Sequence, residues 1–380
     1  MVGIIQEQHP DRTRLFMQWK RMSWPILVDS LNLLGVSAVP ITLAIDEYGV
    51  VRAVNPELEN IDKIFLSQTY PKPKQLAATE VAPPEPAKLK AETAGGGASR
   101  WRAYADALVL WGGEKQLDEA IAAYEQAMRQ NPTHQATYFR LGVTYRKRYE
   151  SQYRRPADFQ KAVDHWMGAL DRDPNQYIWR RRIQQYGPRL DKPYPFYDWV
   201  PSARQEIQAR GETPAPLLVE PDGAEYASPV KSFSSEPTAG RKPDAQGRVL
   251  RDKEGFIQIE TAVVPGATAP GDSLRVHLTF RPDLRKKAHW NNEAEDLVLW
   301  VDPPPGWKVS SQHLSFPNPK TAVSQEIRRI EFELKCPEKT QAGSVRIPGY
   351  ALYYVCEDVN GTCLYRRQDV VVPVQVKGSP

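Results

Sequence analysis

The sequence predicts a multidomain chain whose three parts differ in fold class: an incomplete α/β module, an all-α repeat array and an all-β sandwich. Three observations support this. Strand and helix patterns alternate over residues 1–67, a helical hairpin pattern recurs within residues 101–212, and period-2 strands follow one another over residues 255–378. Proline-rich stretches at 68–100 and 213–254 separate the parts and are predicted to be linkers.

Composition excludes several functions. A net charge of +4 on 380 residues is too small to argue for a nucleic-acid partner. The apolar runs fall short of the roughly 20 residues that a membrane helix needs, so no membrane span is predicted. No G-x-S-x-G, H-E-x-x-H, P-loop or G-x-G-x-x-G motif occurs. A conventional hydrolase or transferase therefore finds no support, and neither a cofactor nor a metal site is predicted.

The N-terminal part is predicted to alternate strands and helices. In order, these are strand 2–6, helix 10–22, strand 25–28, helix 29–35, strand 41–46, strand 50–54 and helix 57–67. Pro10 suits the first helical position, and Asp11 suits the positive end of the helix dipole. The opening MVGIIQEQHP lacks the basic region, long apolar region and A-x-A site of a signal peptide. It is typical of a strand and helix inside a domain.

The stretch WPILVDSLNLLGVSAVPITLAIDEYGVVRA resembles the second half of a thioredoxin-like domain of the thiol-disulfide reductase and peroxiredoxin type. The resemblance implies a cis-proline loop at Val39 and Pro40, which in that family packs beside a Cys-x-x-Cys pair. Residues 1–335 contain no cysteine, so we assign no catalysis to this part.

In that family the strand carrying the cysteine pair is central, between the strands that match residues 2–6 and 41–46. We therefore expect a gap in this sheet. Unpaired buried backbone groups would cost about 1–3 kcal/mol each, and bare strand edges would invite aggregation. Two explanations stay open: the native chain has an upstream half, or the module is a remnant that rearranges or borrows a strand.

The middle part repeats itself, because WRAYADALVLWGGEKQLDEAIAAYEQAMRQNP aligns with ATYFRLGVTYRKRYESQYRRPADFQKAVDHWMGALDRDP. These copies resemble tetratricopeptide repeats. The resemblance assigns helix packing to Tyr104, Ala107, Leu108, Trp111, Ala120, Tyr124 and Ala127 in the first copy, and to Tyr138, Leu141, Gly142, Tyr145, Ala162, Trp166 and Ala169 in the second. Small residues would let the helices of a hairpin approach closely, and aromatic residues would fill the space between hairpins.

The second copy carries an insertion at residues 150–157, and a degenerate third hairpin, NQYIWRRRIQQY followed by PSARQEIQARGE, is expected to cap the array. Such arrays bind peptides or helices in a concave groove. The alternative is a short spacer that packs on its neighbours. Arginines such as Arg146, Arg148 and Arg182 are expected to lie on a solvated helix face.

The C-terminal part reads as strands FIQIETAVV, SLRVHLTF, DLVLWV, IRRIEFELK, GYALYYVC, CLYRR and DVVVPVQV, which predict an antiparallel sandwich of immunoglobulin-like type. Cys336 alternates with apolar residues and is expected in the core. Cys356 and Cys363 bracket EDVNGT. The histidines show no ligand spacing near this pair, so a disulfide is favoured over a metal site. It requires a loop wider than a two-residue turn at Asn360-Gly361.

The strands, the PPPGW turn and YYVCEDVNGTCLYRR resemble the N-terminal periplasmic domain of the disulfide interchange reductase DsbD. That resemblance implies that Cys356 and Cys363 are a redox pair which exchanges with a thioredoxin-like partner. The spacing is C-x6-C, one residue longer than is usual in that family.

Two functional hypotheses follow. The first is a bacterial thiol-disulfide protein, exported or periplasmic, that binds protein partners through its repeats. The second is a non-catalytic repeat scaffold, for which a cytoplasmic location would serve equally well.

Overall fold

The computed structural model describes residues 1–73, 84–190, 198–221, 233, 242–357 and 361–378. The central parts of both predicted linkers lie outside the described residues, as does Asn360 of the predicted turn.

The described chain contains both helices and sheets. The helices are α1 (Pro10–Lys20), α2 (Pro86–Glu92), α3 (Ala98–Trp111), α4 (Leu117–Gln130), α5 (Gln135–Glu150), α6 (Asp158–Arg172), α7 (Tyr177–Gln184) and α8 (Trp199–Ala209). The strands are β1 (Gly3–Ile5), β2 (Ile26–Val28), β3 (Leu43–Ile45), β4 (Val51–Val54), β5 (Ile257–Val264), β6 (Ala267–Thr268), β7 (Ser273–Pro282), β8 (Ala288–Asn291), β9 (Leu297–Val301), β10 (Lys308–Val309), β11 (His313–Phe316), β12 (Val323–Ser324), β13 (Arg328–Lys335), β14 (Gly343–Glu357) and β15 (Cys363–Val376).

The N-terminal strands form two separate ribbons: β1 pairs with β2 in parallel and β3 pairs with β4 in antiparallel fashion. The predicted helix at 29–35 is wrong. The Asp29 carboxylate accepts from the backbone amides of Leu33 and Leu34 at 2.7 and 3.1 Å, which replaces helical hydrogen bonding by a local turn. Asn32 and Gly35 both have positive φ there. The predicted helix at 57–67 is reduced to a 3₁₀ turn and a π turn.

The middle helices pack as two hairpins, α3 on α4 and α5 on α6, with α4 against α5 and α7 against α6. The expected third hairpin does not form this way, because α8 packs on α1 instead. Leu15 of α1 is buried with Val200 and Ile207 of α8. The Trp19 and Trp199 rings stack with centroids 5.7 Å apart. Burial of these aromatic faces on α1 outweighs the hairpin that sequence proximity suggests.

The C-terminal strands form two sheets over a shared apolar core. One sheet has the order β10-β13-β7-β5; the other follows β11-β9-β14-β15-β6, with β8 beside β14 and β12 beside β8. Cys336 is 1% exposed and belongs to this core, as predicted. The two strands predicted from CLYRR and DVVVPVQV are one long strand, β15. Ala262 and Val264 of β5 belong to the helical core, so these sheets also pack on the hairpins.

Candidate functional site

The hairpin of β14 and β15 holds two cysteines directly opposite each other. Their register pairs Cys356 with Cys363, and the two form a disulfide with Cα atoms 4.0 Å apart. The Glu357 amide donates to the Thr362 carbonyl oxygen at 3.4 Å. The adjacent cysteine pair is therefore a non-hydrogen-bonded pair, in which opposite side chains approach most closely. Four residues separate Glu357 from Thr362 in the sequence, two more than a two-residue turn contains, as the predicted disulfide requires.

The disulfide lies on the outer face of its sheet. Tyr353 and Val355 belong to the core, and Cys356, which alternates with them, faces the other way. Cys356 is 2% exposed, whereas Cys363 is exposed. The two cysteines of the bridge thus differ in solvent exposure.

Two tyrosines cover the sheet next to the disulfide. Tyr354 and Tyr365 are paired across the strands and stack with ring centroids 4.4 Å apart. A hydrogen bond to the Glu295 carboxylate raises the pKa of Tyr354 to about 12, and the same bond lowers the pKa of Glu295. Neither tyrosine was predicted from the sequence, although alternation places residues two positions from each cysteine on the same face of the strand.

His289 lies on the other side of Cys356. The β14–β8 register pairs Cys356 with His289, so His289, Cys356 and Cys363 form a row across three strands. The residue is buried and its Nδ1 lies 3.2 Å from the Lys287 carbonyl oxygen. No sequence signal indicates this neighbour, because the pairing joins strands that are distant along the chain.

The predicted proline loop lies at a large cavity of the described chain. The Val39–Pro40 bond is cis, as the resemblance implies. Both residues line a cavity of about 910 Å³ together with apolar side chains of β1, β3, α7 and α8. Ile4 of β1 and Leu43 of β3 line it while remaining 47% and 48% exposed. The cysteine pair belongs to a different region, since no residue of β14 or β15 lines this cavity.

The gap expected between these strands is present in the described residues. There β1 pairs only with β2, and β3 pairs only with β4. Both ribbons contribute side chains to the one cavity. The open strand edges are therefore accompanied by exposed apolar side chains.

The repeat-packing residues mostly occupy the expected positions. Those that are buried are Tyr104, Ala107, Leu108, Ala120, Tyr124, Ala127, Leu141, Gly142, Tyr145, Ala162, Trp166 and Ala169. Tyr138 is only partly buried. Trp111 contradicts the prediction because it is 52% exposed. It is the last residue of α3, and the chain turns away at Gly112 and Gly113 before α4 can cover its ring.

The expectation of a solvated arginine face is wrong for three residues. Arg146, Arg148 and Arg182 are each 3% exposed. Arg146 pairs with Glu150 at 2.6 Å, and Arg148 pairs with Asp158 at 2.5 Å. Charges that are paired and hydrogen-bonded in this way can be buried. The Arg148 pair joins α5 to α6, whereas the Arg146 pair lies within α5.

Comparisons with known proteins identify no family for this chain. No family model matches it, and no curated protein matches it. Solved structures give weak likenesses. A protein of unknown function from Porphyromonas gingivalis W83 has a TM-score of 0.21 and 16% identity, covering 33% of this chain and 49% of that one. AggA, the major subunit of aggregative adherence fimbriae type I from Escherichia coli, has a TM-score of 0.19 and 11% identity, covering 34% and 98%.

A third structure, Spo0M, a sporulation control protein from Bacillus subtilis, has a TM-score of 0.16 and 14% identity, covering 32% of this chain and 50% of that one. This chain thus spans about half the length of the Porphyromonas and Bacillus proteins. At these TM-scores the likenesses carry no argument about function.

The described residues offer neither a membrane-spanning helix nor a cluster of metal ligands. None of their helices combines the length and apolar character needed to cross a bilayer. They also contain no cluster of three or more His, Cys, Asp or Glu residues suited to holding a metal ion.

Proposed function

We propose that this chain is a thiol-disulfide exchange protein that accepts electrons from a protein dithiol at Cys356–Cys363. The observation that carries the proposal is the asymmetric disulfide, with Cys363 exposed and Cys356 buried on the outer sheet face. A bridge with one approachable end, outside the hydrophobic core, suits exchange better than stapling.

The exchange proceeds in two balanced steps. A thiolate of the partner attacks the Cys363 sulfur, a mixed disulfide forms, and the electron pair of the broken bond goes to the Cys356 sulfur. The second thiolate of the partner then attacks the partner sulfur of the mixed disulfide. This closes the partner's disulfide and releases Cys363 as a thiolate. The partner leaves as a disulfide, and this chain holds two thiols.

The proposal includes a fold type for each of the three parts of the chain. The cis Val39–Pro40 loop and the separated ribbons are compatible with a partial thioredoxin-like module. The two buried hairpins suit tetratricopeptide repeats, and two sheets on one core suit an immunoglobulin-like domain of DsbD type. The disulfide itself favours an oxidising compartment, in agreement with an exported or periplasmic location.

The test is the reduction potential of the bridge. The protein is equilibrated in dithiol buffers of graded potential, and its free thiols are alkylated and counted by mass. Exchange predicts a midpoint above about −300 mV and reduction by thioredoxin. The control is Cys336→Ala, which removes the buried cysteine outside the bridge. A bridge that stays oxidised in a buffer at about −300 mV contradicts the proposal.

A second candidate is the non-catalytic scaffold. The specific observation in its favour is that the helical core contains residues of both neighbours, Leu31 from the N-terminal part and Val264 from β5. Arg140 also donates to the Leu31 carbonyl oxygen at 3.3 Å. The hairpins therefore hold the neighbouring parts together. The scaffold function is the one retained if the bridge stays oxidised at about −300 mV.

A further inference from the structure

His289, Cys356 and Cys363 follow one another across three neighbouring strands, with Cys356 in the middle. In an antiparallel sheet, directly opposite residues have their side chains on the same face, with Cβ atoms about 4.5–5.5 Å apart. Cys356 is paired with His289 on one side and with Cys363 on the other. In the register of the three strands, Cys356 thus lies between its disulfide partner and His289.

The contact at Nδ1 defines the tautomer of His289. Its neighbour at 3.2 Å is the Lys287 carbonyl oxygen, which can only accept a hydrogen bond. Nδ1 must therefore carry a hydrogen, and Nε2 is the nitrogen left to give or take a proton. In this tautomer Nδ1 donates a hydrogen bond to the backbone, and Nε2 can accept a proton.

The other groups near this row leave the imidazole as the nearest titratable neighbour by register. Gln325, which follows β12, donates to the Ala288 carbonyl oxygen at 3.2 Å. Of the charged residues adjoining the row along the chain, Glu357 directly follows Cys356, and Lys287 lies two positions before His289. The Glu295 carboxylate accepts from Tyr354.

We propose that His289 is the proton-transfer partner of Cys356. This inference rests on the proposed exchange function and deepens it. When a dithiol partner attacks Cys363, the bond between the cysteine sulfurs breaks and its electron pair goes to Cys356, whose thiolate takes the proton from Nε2 of the imidazolium. In the reverse direction, neutral Nε2 takes the proton from the Cys356 thiol. The resulting thiolate attacks the Cys363 sulfur of the mixed disulfide, which re-forms the bridge and releases the partner's thiolate.

The test measures the Cys356 thiol by itself. In the Cys336→Ala, Cys363→Ser background, Cys356 is the one thiol left in the chain, and the ultraviolet absorbance of its thiolate is followed against pH. We expect His289→Asn to raise the thiol pKa by about one unit, a roughly tenfold loss of thiolate at a given pH, because a neighbouring imidazolium stabilises a thiolate. Asparagine keeps an N–H for the Lys287 carbonyl oxygen. Superimposable titration curves overturn the inference.

A second measurement needs no substitution at His289. The ring signals of His289 are titrated by NMR in the full chain, with the bridge intact and after reduction by a phosphine. Coupling predicts a higher imidazole pKa in the reduced protein, because the thiolate appears beside the ring. Equal values in both states overturn the inference. If the two pKa values are coupled but thioredoxin does not reduce the bridge, the proposed exchange function is wrong, whereas the proton coupling of His289 to Cys356 is retained.

Discussion

Gly142 is the residue on which the close contact of α5 with α6 depends. A Cβ at this position would lie 2.5 Å from Cδ1 of Trp166 and 2.9 Å from the Ala162 carbonyl oxygen. Trp166 is fully buried, and the second neighbour is backbone, so neither can move away without disturbing the hairpin.

Gly142→Ala is therefore expected to lower the free energy of unfolding by about 1–3 kcal/mol through overpacking. The measurement is denaturant unfolding followed by circular dichroism. Gly187→Ala is the matched control, because its Cβ would meet its nearest neighbour at 3.6 Å and its φ is not positive. Equal losses in the two variants would contradict the prediction.

At the residue scale the sequence predicted local patterns well and non-local pairs poorly. Gly142 and Trp166 were identified by spacing within one repeat, and Cys336 by strand alternation. His289 was not, because its neighbour Cys356 is defined by sheet order. Trp111 was predicted buried because a repeat pattern does not reveal where a helix ends.

The connection between α5 and α6 shows how an element absorbs a sequence insertion. Both oxygens of Asp158 accept from Arg148, and one also accepts from the Arg155 amide at 2.8 Å. Asp158 is the first residue of α6, and its side chain is fully buried. The inserted residues 150–157 are thus closed by a buried ion pair at the start of the second helix.

Asp158→Asn should destabilise the protein by about 1–3 kcal/mol, because it leaves the buried Arg148 guanidinium with Asp118 as its remaining carboxylate partner. The readout is the thermal unfolding midpoint together with denaturant unfolding. Asp171→Asn, at an exposed position of the same helix, is the control and is expected to change little. A loss for Asp158→Asn no larger than for Asp171→Asn would refute this account.

Element prediction failed where side chains compete with the backbone or where distant helices meet. The helix expected at 29–35 gave way to a turn closed by Asp29. The third hairpin gave way to packing of α8 on α1, through contacts such as the hydrogen bond from Trp19 Nε1 to Glu206 at 2.8 Å. Neither competition can be read from hydrophobic periodicity.

At the scale of the whole molecule, His9 lies where the N-terminal part meets the helices. Its Nε2 is 2.9 Å from the Tyr186 hydroxyl and 3.6 Å from the Glu150 carboxylate. Burial, followed by the charge of Arg146, holds the pKa of His9 well below its ordinary value of 6.5. Burial raises the pKa of Glu150.

These shifts act on stability with opposite signs. Below pH 6.5 the unfolded chain binds a proton at His9 that the folded chain does not, so the His9 contribution is lost as pH falls. The Glu150 contribution is present at low pH and is lost as pH rises through its raised pKa.

Between pH 7.5 and pH 5.5, the unfolding free energy of the wild type is expected to fall by about 1 kcal/mol more than that of His9→Gln. Denaturant unfolding at the two pH values gives this difference directly. Glu150 is present in both proteins and its effect largely cancels. If the free energies of unfolding of the two proteins change equally with pH, His9 is not the source of the pH dependence.

The presence of both helices and sheets was predictable from periodicity, because the helical and strand segments have different sequence periods. The contacts between the parts were not, since they depend on single buried residues such as Leu31 and Val264. The open ribbons follow from the absence of a third strand between them in the described chain, a gap that the resemblance to thioredoxin-like domains anticipated.

The shared helical core has a consequence for covalent continuity. Because Leu31 and Ala262 reach the hairpins from opposite ends of the sequence, the parts adhere through side-chain burial as well as through the peptide chain. We expect a protein built in this way to stay assembled when a connecting segment is cut, and its parts to associate when they are supplied as separate polypeptides. Fragment complementation is thus expected from the packing of both neighbouring parts on the hairpins.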